Sequence, residues 1–369
     1  MYQSPQNYTP QPYGQSAPYE MPKPARRRRR KAPFLLLLPL LFFGFMFFGF
    51  SYLVSPEPSV EVKAGVGFAA VNGRQVVLAP YERHGARGMF QLMAKDLFQV
   101  RLAAADPATG EVLWDVQLSD ELIWDADVLA AGDRYAYLAT SSGLMVVDLH
   151  DGSIVSQGSG VEGLGGAYVA SPAAYGYDAA NRRVLAMNAT GAVLALPLDA
   201  TAAVPTDQAT TAAWIGTLSG RPTHKSATAN KAALGADATV ELRPRPGGGP
   251  GSVLVRIGAD GTEAQVGEAA FHGATIVLDG ESAAGAASGH VLVKHNRSVN
   301  DTGVELSAVS LTTGAVTGSL ALDSSPERAV TRADGTTVVA AGGVLATTGA
   351  DGRVTAVPIG ATDFLGNPS

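Results

Sequence analysis

The chain has 369 residues, no cysteine and a formal net charge of −6 at pH 7. The absence of cysteine excludes disulfides, thiolate metal sites and cysteine nucleophiles. Residues 1–32 hold seven basic residues and one acidic residue, a net charge of +6, so residues 33–369 carry −12. An acidic region of that size is a poor partner for nucleic acid.

The first 32 residues are predicted to form a cytoplasmic tail. Residues 1–25 are rich in Pro, Gln, Tyr, Ser and Asn without an apolar period, which predicts disorder and a tether, with recruitment of a cytoplasmic partner as the alternative. A basic cluster follows, made of Arg26, Arg27, Arg28, Arg29, Arg30 and Lys31. Its position directly before an apolar run favours a topology signal over a nucleic-acid site, and it also suits contact with anionic lipid.

Residues 33–54 are predicted to be a transmembrane helix. The uncharged run Phe34–Val54 has 21 residues, and a helix of this length spans roughly 31 Å, close to the hydrocarbon thickness of a bilayer. A buried core helix does not fit so long an apolar run beside six cations. A cleaved signal peptide has a shorter apolar run and a small-residue cleavage site, for which SYLVSPEPS is a poor match. We therefore predict an uncleaved single-pass anchor in the cell membrane, with residues 55–369 outside.

Beyond a spacer at residues 55–59, residues 60–362 show the pattern of a β-rich domain, with a C-terminal tail at 363–369. Short apolar runs alternate with Gly, Asp and Asn, and Asn72-Gly73 fits the positive φ angles of a type I′ hairpin turn. No amphipathic helix is recognisable in this region. The segment FQLMAKDLFQV at 90–100 is compatible with strands or with one or two helical turns.

One turn unit recurs along the domain. A strand ends at Asp or Ser, three residues follow, and a Gly precedes the next strand. The side chain can bond the turn backbone, and Gly takes the left-handed conformation. The copies are Asp106 to Gly110, Asp148 to Gly152 and Ser310 to Gly314, with shorter echoes at Asp351-Gly352, Asp260-Gly261 and Asn188 to Gly191, and a degenerate one at Asn181-Arg182.

The glycines of these turns are separated by 42, 39, 70, 53 and 38 residues. A period of about 40–50 residues with several strands in each repeat indicates a β-propeller, and longer gaps indicate inserted loops or a missed copy. We predict an all-β, irregular β-propeller of about six or seven four-stranded blades, preceded by a single transmembrane helix.

The stretches ADPATGEVLW (105–114) and VVDLHDGSIV (146–155) resemble the outer-strand motif of quinoprotein-type (PQQ-like) propeller repeats. The whole arrangement also resembles bacterial membrane-anchored propeller proteins. Enzymes of the quinoprotein family hold their quinone over a Trp platform beside calcium, many with a vicinal cysteine pair. This chain has three tryptophans and no cysteine, and Trp114 belongs to a repeat motif. The resemblance therefore covers repeat geometry, and no catalytic, cofactor or metal residue is carried over.

A candidate ligand loop lies in the link between two blades. It consists of Asp120, Glu121, Trp124 and Asp125, and the alternative is a solvated acidic loop. Without an enzyme motif, the leading interpretation is a binding or scaffold module with a protein or peptide partner at one propeller face. The alternative is a cofactor-dependent enzyme or sensor that uses the propeller funnel.

The predicted topology is tested with a reporter enzyme fused after Ser369. The basic cluster should keep the N-terminus in the cytoplasm, so the reporter should be active only outside. Activity inside the cell would reverse the orientation.

Overall fold

The computed structural model describes Gly14 and residues 32–219 and 226–368, so the basic cluster Arg26–Lys31 lies outside the described residues. The described chain begins with one continuous helix. It comprises α1 (Ala32–Gly44), a π-helical segment (Phe45–Phe50) and α2 (Ser51–Val54). Its part Leu37–Val54 is long and apolar enough to cross a membrane, and none of it is buried inside the protein.

Antiparallel pairing arranges the strands that follow into six blades. Blade 1 contains β1 (Ser59–Val62), β2 (Gly67–Val71), β3 (Arg74–His84), β4 (Phe98–Ala105) and β5 (Val112–Ser119). Blade 2 contains β6 (Ala126–Ala131), β7 (Tyr135–Thr140), β8 (Gly143–Asp148) and β9 (Ile154–Gln157). Blade 3 contains β10 (Tyr175–Asp178), β11 (Arg183–Met187), β12 (Val193–Pro197) and β13 (Val204–Pro205). The predicted β-propeller is thus confirmed.

Blades 4 to 6 complete the series. The short β14 (Thr228–Ala229) pairs with blade 5. Blade 4 contains β15 (Lys231–Ala233), β16 (Ala238–Pro244), β17 (Ser252–Gly258) and β18 (Glu263–Gln265). Blade 5 contains β19 (His272–Asp279), β20 (Ser282–Ala283), β21 (His290–Ser298), β22 (Asp301–Ser310) and β23 (Val316–Leu322). Blade 6 contains β24 (Arg328–Thr331), β25 (Thr337–Ala341), β26 (Val344–Thr348) and β27 (Val354–Val357). One parallel pair, Ala233 with Ser282, joins blades 4 and 5 into a single sheet.

The middle strands of blades 2 and 6 are largely apolar on both faces because neighbouring blades cover both faces, whereas β16 of blade 4 places Thr239, Glu241 and Arg243 on one face. Every residue of β7 is buried, whereas the outer strand β9 exposes Ile154 and Val155. Buried clusters lie between blades 1 and 2, 2 and 3, 4 and 5, 5 and 6, and 6 and 1. A blade is therefore stabilised mainly by the neighbours between which it packs.

Helix α4 (Gln208–Leu218) follows blade 3, where the sequence pattern had indicated no helix. Asp207 caps its first turn by accepting a hydrogen bond from the Thr210 amide at 2.8 Å. Leu218 and Trp214 pack against the buried Leu185 and neighbouring residues of blade 3. The inserted helix accounts for much of the long gap between the turn glycines 191 and 261.

Strand direction defines two faces of the propeller. The inner strands β2, β6, β10 and β24 begin on one face, here called the entry face, and run to the other, here called the turn face. The turns at Asp106–Gly110, Asp148–Gly152, Ser310–Gly314 and Asp351–Gly352 all join the third strand of a blade to its outer strand, on the turn face.

The turn glycines have a packing role as well as a conformational one. Gly152 has φ +77°, and a Cβ at this position would lie 2.7 Å from Cε3 of Trp114 in the preceding blade. The indole nitrogen of Trp114 donates to the Leu149 carbonyl at 2.8 Å. Any larger residue at 152 would therefore clash with Trp114 as well as strain the backbone.

Two of the shorter turn echoes occupy other positions. The turn at Asn188–Gly191 joins the second and third strands of blade 3, so it lies on the entry face. The turn at Asn181-Arg182 joins the first two strands of the same blade, so it is not a degenerate copy of the third-to-outer turn. The same local turn chemistry thus serves different hairpins.

The segment 90–100 divides into a helix and a strand. Helix α3 (Gly88–Ala94) links β3 to β4 on the entry face. It contacts the C-terminal segment, which crosses from blade 6 to blade 1, because the Gln91 amide donates to the Asp363 carbonyl at 2.9 Å. Arg83 of β3 donates to the Thr362 hydroxyl in the same segment at 3.1 Å. This segment helps to hold the last blade against the first.

A buried polar group lies inside blade 1. Arg101 Nε donates to Asp115 Oδ1 at 2.8 Å, and the Tyr81 hydroxyl donates to Asp115 Oδ2 at 2.5 Å. The Asp115 side chain is 2% exposed. Burial raises the pKa of Asp115 above its ordinary value, although Arg101 and Tyr81 both favour the carboxylate. Removing the carboxylate would leave a buried guanidinium without its counter-charge.

The variant Asp115→Ala should lower the free energy of unfolding by about 3–5 kcal/mol, because one partner of a buried ion pair is lost. Urea unfolding of the full-length protein in detergent, followed by tryptophan fluorescence, measures the change. The control Glu111→Ala removes the half-exposed partner of Arg74 and should cost less than about 1 kcal/mol. Equal losses in the two variants would contradict the role of the buried group.

Candidate functional site

A cavity of about 740 Å³ opens near the propeller axis. Its wall is built mainly from the residues that precede or begin inner strands, on the entry face. They are Ala64 and Gly65 before β2, Asp125 to Asp127 at β6, Ser171 to Ala173 before β10, and Pro326 and Glu327 before β24; Ser226 and Ala227 before β14, together with Glu61 and Lys63, complete it. The cavity is therefore the mouth of the central funnel.

Blades 1 and 2 meet at this mouth with their backbones in contact. The Val128 amide donates to the Gly65 carbonyl at 2.9 Å. A Cβ at Gly65 would lie 2.6 Å from the Asp127 Cα, so a side chain here would separate the two inner strands. Gly65 thus fixes the distance between two walls of the cavity.

The cavity wall is predominantly acidic. Glu61, Asp125, Asp127 and Glu327 contribute carboxylates, whereas Lys63 contributes an ammonium group. Partial burial raises the pKa of Glu327, and the neighbouring Glu61 carboxylate raises it further, while Lys63 opposes this change. The mouth of the funnel therefore favours cationic groups.

Glu61, Glu82 and His84 each place one potential ligand atom within 4.8 Å of the others, an arrangement that could hold a metal ion. Lys63 Nζ lies 2.5 Å from Glu82 Oε1, and His84 Nε2 lies 3.2 Å from Glu82 Oε2. The Lys63 ammonium already neutralises Glu82. A metal ion at this position would have to displace it.

The structure separates the residues of the candidate ligand loop. Asp125 lines the cavity, and Asp120 and Glu121 are exposed beside it. Trp124 is buried between blades 1 and 2, where its indole nitrogen donates to Ser142 Oγ at 2.7 Å. Trp124 therefore holds the loop in place, and Asp125 faces the cavity.

Other residues of the site were not recognised from the sequence. The loop tip between Glu121 and Trp124 exposes Leu122 and Ile123, with 71% and 87% of their surfaces accessible. Glu61, Lys63 and Glu327 come from the first and last blades and meet only when the ring closes. Lys63 and Glu327 precede inner strands and Glu61 lies near the end of β1, a relationship that is visible only when the strand order is known.

The turn residues of the repeats lie away from this site. Asp106, Gly110, Asp148, Gly152, Ser310, Gly314, Asp351 and Gly352 are on the turn face, whereas the cavity opens on the entry face. Asp106 accepts from the amides of Ala108 and Thr109 at 2.8 and 3.2 Å, and from Arg74 of the same blade at 3.1 Å. They shape the hairpins of the repeats.

The electrostatic coupling at the mouth is testable with Glu61→Gln. Removing the neighbouring carboxylate should lower the pKa of Glu327 towards its ordinary value, which carboxyl-carbon NMR titration of labelled glutamates measures. A raised pKa in the folded state means that stability is lost as pH rises through it, so the variant should lose less stability over that range. The control Glu111→Gln on the turn face should leave Glu327 unchanged. An unchanged pKa in Glu61→Gln would show that the two carboxylates do not interact.

No protein-family model matches the chain, and no curated protein matches it. Among solved structures, it is similar to the apo form of AtxE2 isopeptidase, with 10% identity over 84% of this chain and 54% of that chain and a TM-score of 0.41. The chain thus spans about half the length of that protein. BamB from Moraxella catarrhalis has 16% identity over 79% of this chain and 83% of its own, with a TM-score of 0.23. Dihydro-heme d1 dehydrogenase NirN in complex with DHE has 12% identity over 80% of this chain and 71% of its own, with a TM-score of 0.26. At these identities and TM-scores the similarity concerns the fold alone and carries no argument about function.

Proposed function

We propose that this protein is a single-pass membrane protein whose β-propeller is extracytoplasmic and binds a protein or peptide partner at its entry face. In this proposal the N-terminus is cytoplasmic, Phe34–Val54 spans the cell membrane, and the blades derive from PQQ-like repeats. The uncovered apolar helix Leu37–Val54 supports the anchor. The turn units on one face of four blades support the repeat relationship.

The observation that carries the binding role is the composition of the entry face. An acidic cavity containing Glu61, Asp125 and Glu327 opens there. The exposed Leu122 and Ile123 precede Asp125 in the same loop. Exposed apolar side chains next to a charged recess are typical of surfaces that bind protein segments. The charge favours a segment with basic side chains.

A second function, a cofactor-dependent enzyme or sensor that uses the funnel, draws on Glu82 and His84. Their side chains lie 3.2 Å apart, beside the cavity residue Glu61. A carboxylate paired with an imidazole is a common arrangement in general acid–base catalysis. Glu82 is also bound to Lys63, however, which occupies one of its oxygens. We therefore favour the binding role.

The binding role is tested by site-specific cross-linking in intact membranes. Because the chain has no cysteine, Ile123→Cys provides a single site for a photoactivatable label. The label should cross-link one consistent protein, whereas a label at the exposed Ala108→Cys on the turn face should not.

Charge variants complete this test. Combining Ile123→Cys with Glu61→Gln and Asp125→Asn should reduce the cross-linked yield several-fold, because a basic partner loses two opposing charges. Equal labelling from Ile123 and Ala108, or a yield that is indifferent to the charge variants, would contradict a basic partner at the entry face.

A further inference from the structure

Helix α3 packs beside the end of the apolar helix. The Met89 amide donates to Ser51 Oγ at 3.0 Å, and the rings of Phe90 and Phe48 lie 6.3 Å apart. A Cβ at Gly88 would lie 2.7 Å from the Tyr52 Cα, so the two backbones are in close contact. The position of α3 relative to the membrane helix is therefore defined by direct contacts with its residues 48–52.

The C-terminal segment joins the same contact. Phe364 lies 5.1 Å from the Tyr52 ring and 5.7 Å from the Phe90 ring, measured between centroids. Arg87 stacks over Tyr52 at 4.5 Å and forms an ion pair with Glu57 at 2.7 Å. An aromatic group bordered by a cation is typical of the region where a membrane protein leaves the hydrocarbon.

These contacts define the depth of α3. Phe48 precedes the helix end at Val54 by six residues, a distance of about 9 Å along the axis. If Phe34–Val54 spans the hydrocarbon, the residues beside Phe48 lie below the membrane surface. Interfacial helices bury their apolar side by about 5–10 Å, the same range.

The polarity of α3 is inverted relative to a helix on a soluble protein. Its buried side carries Gln91, which accepts from Arg83 at 3.0 Å and donates to the Asp363 carbonyl at 2.9 Å. Its outer side carries Leu92 and Met93, which are 48% and 71% exposed. A helix that faces water normally shows the opposite arrangement.

Further apolar side chains surround α3. Leu97 follows it, and Phe364 and Leu365 of the C-terminal segment flank it, all exposed. We call Leu92, Met93, Leu97, Phe364 and Leu365 the rim patch. Among the described residues outside the apolar helix, the large apolar side chains exposed on loops and on α3 are all on the entry face, and the others lie on outer strands or α4. The rim patch is thus continuous with the membrane helix and confined to its side of the propeller.

We infer that the rim patch is a second membrane contact, by which blade 1 lies against the outer surface of the lipid bilayer beside its own anchor. The inference rests on the proposed single-pass anchor. It replaces a propeller on a loose tether by one with a defined orientation. The mouth of the funnel then lies close to the membrane surface, so its partner must be reachable there.

The test uses the full-length protein in vesicles of phosphatidylethanolamine and phosphatidylglycerol. Single cysteines at Met93, Leu365, Leu41 and Ala108 carry an environment-sensitive fluorophore, and lipids with a nitroxide at a shallow or a deep position act as quenchers. Shallow nitroxides should quench Met93 and Leu365 several-fold more than Ala108 on the turn face. Deep nitroxides should quench Leu41, which lies within the apolar helix.

The outcomes separate the two proposals. If deep nitroxides do not quench the label at Leu41, the anchor and the inference are overturned together. If they quench it, but the label at Met93 is as accessible to water as the label at Ala108, the inference alone is overturned. Protection of Met93 that appears only after membrane proteins are added would identify a protein surface instead of a lipid one and would also overturn it.

A variant provides an independent test. Replacing Leu92 and Met93 by serine, with the label at Leu365, should reduce shallow quenching several-fold and leave quenching at Leu41 unchanged. Because both side chains point outward, the melting temperature should change little. Unchanged quenching at Leu365 would overturn the inference.

Discussion

The contact between blade 6 and blade 1 is the constraint on which the rest of the structure depends. Blades 1 and 6 bury apolar faces against each other, so separating them would expose two apolar sheet faces to water. Val62, Val77 and Tyr81 of blade 1 pack against Val338 and Leu345 of blade 6. The Val62 amide donates to the Gly342 carbonyl at 2.7 Å. Since blades 1 and 6 are each a continuous piece of chain, neither contributes a strand to the other, and the C-terminal segment reinforces this contact.

Blade 1 therefore connects three functions of the fold. It closes the ring through β1 and β3, supplies Glu61 and Lys63 to the cavity, and contacts the apolar helix through α3. The buried group of Arg101, Asp115 and Tyr81 lies within the same blade. In the proposed anchored arrangement, a rigid blade 1 fixes the position of the cavity relative to the membrane.

The two faces of the propeller have different compositions. The turn face displays hairpins whose polar side chains bond their own backbones, such as Asp106 with Ala108. The entry face displays the acidic cavity, the loop tip Leu122-Ile123 and the rim patch. The buried clusters between blades do not account for this asymmetry, because it concerns exposed loops. It is the reason for placing both proposed binding surfaces on the entry face.

The sequence by itself determined the apolar helix, the all-β class and the propeller repeat, because these depend on local periodicity and on turn chemistry at single hairpins. It also placed Asp125 in a candidate site, as the residue after a tryptophan in a link between blades. It left open whether residues 90–100 form strands or helical turns, because Gln91 and Met93 of α3 reverse the usual polarity of a helix. Nor did it distinguish the Asn188–Gly191 hairpin from the repeat turns, since the same residues satisfy either position. Only the tertiary structure brought together Glu61, Asp125 and Glu327, because closure of a ring joins residues that are distant in the chain.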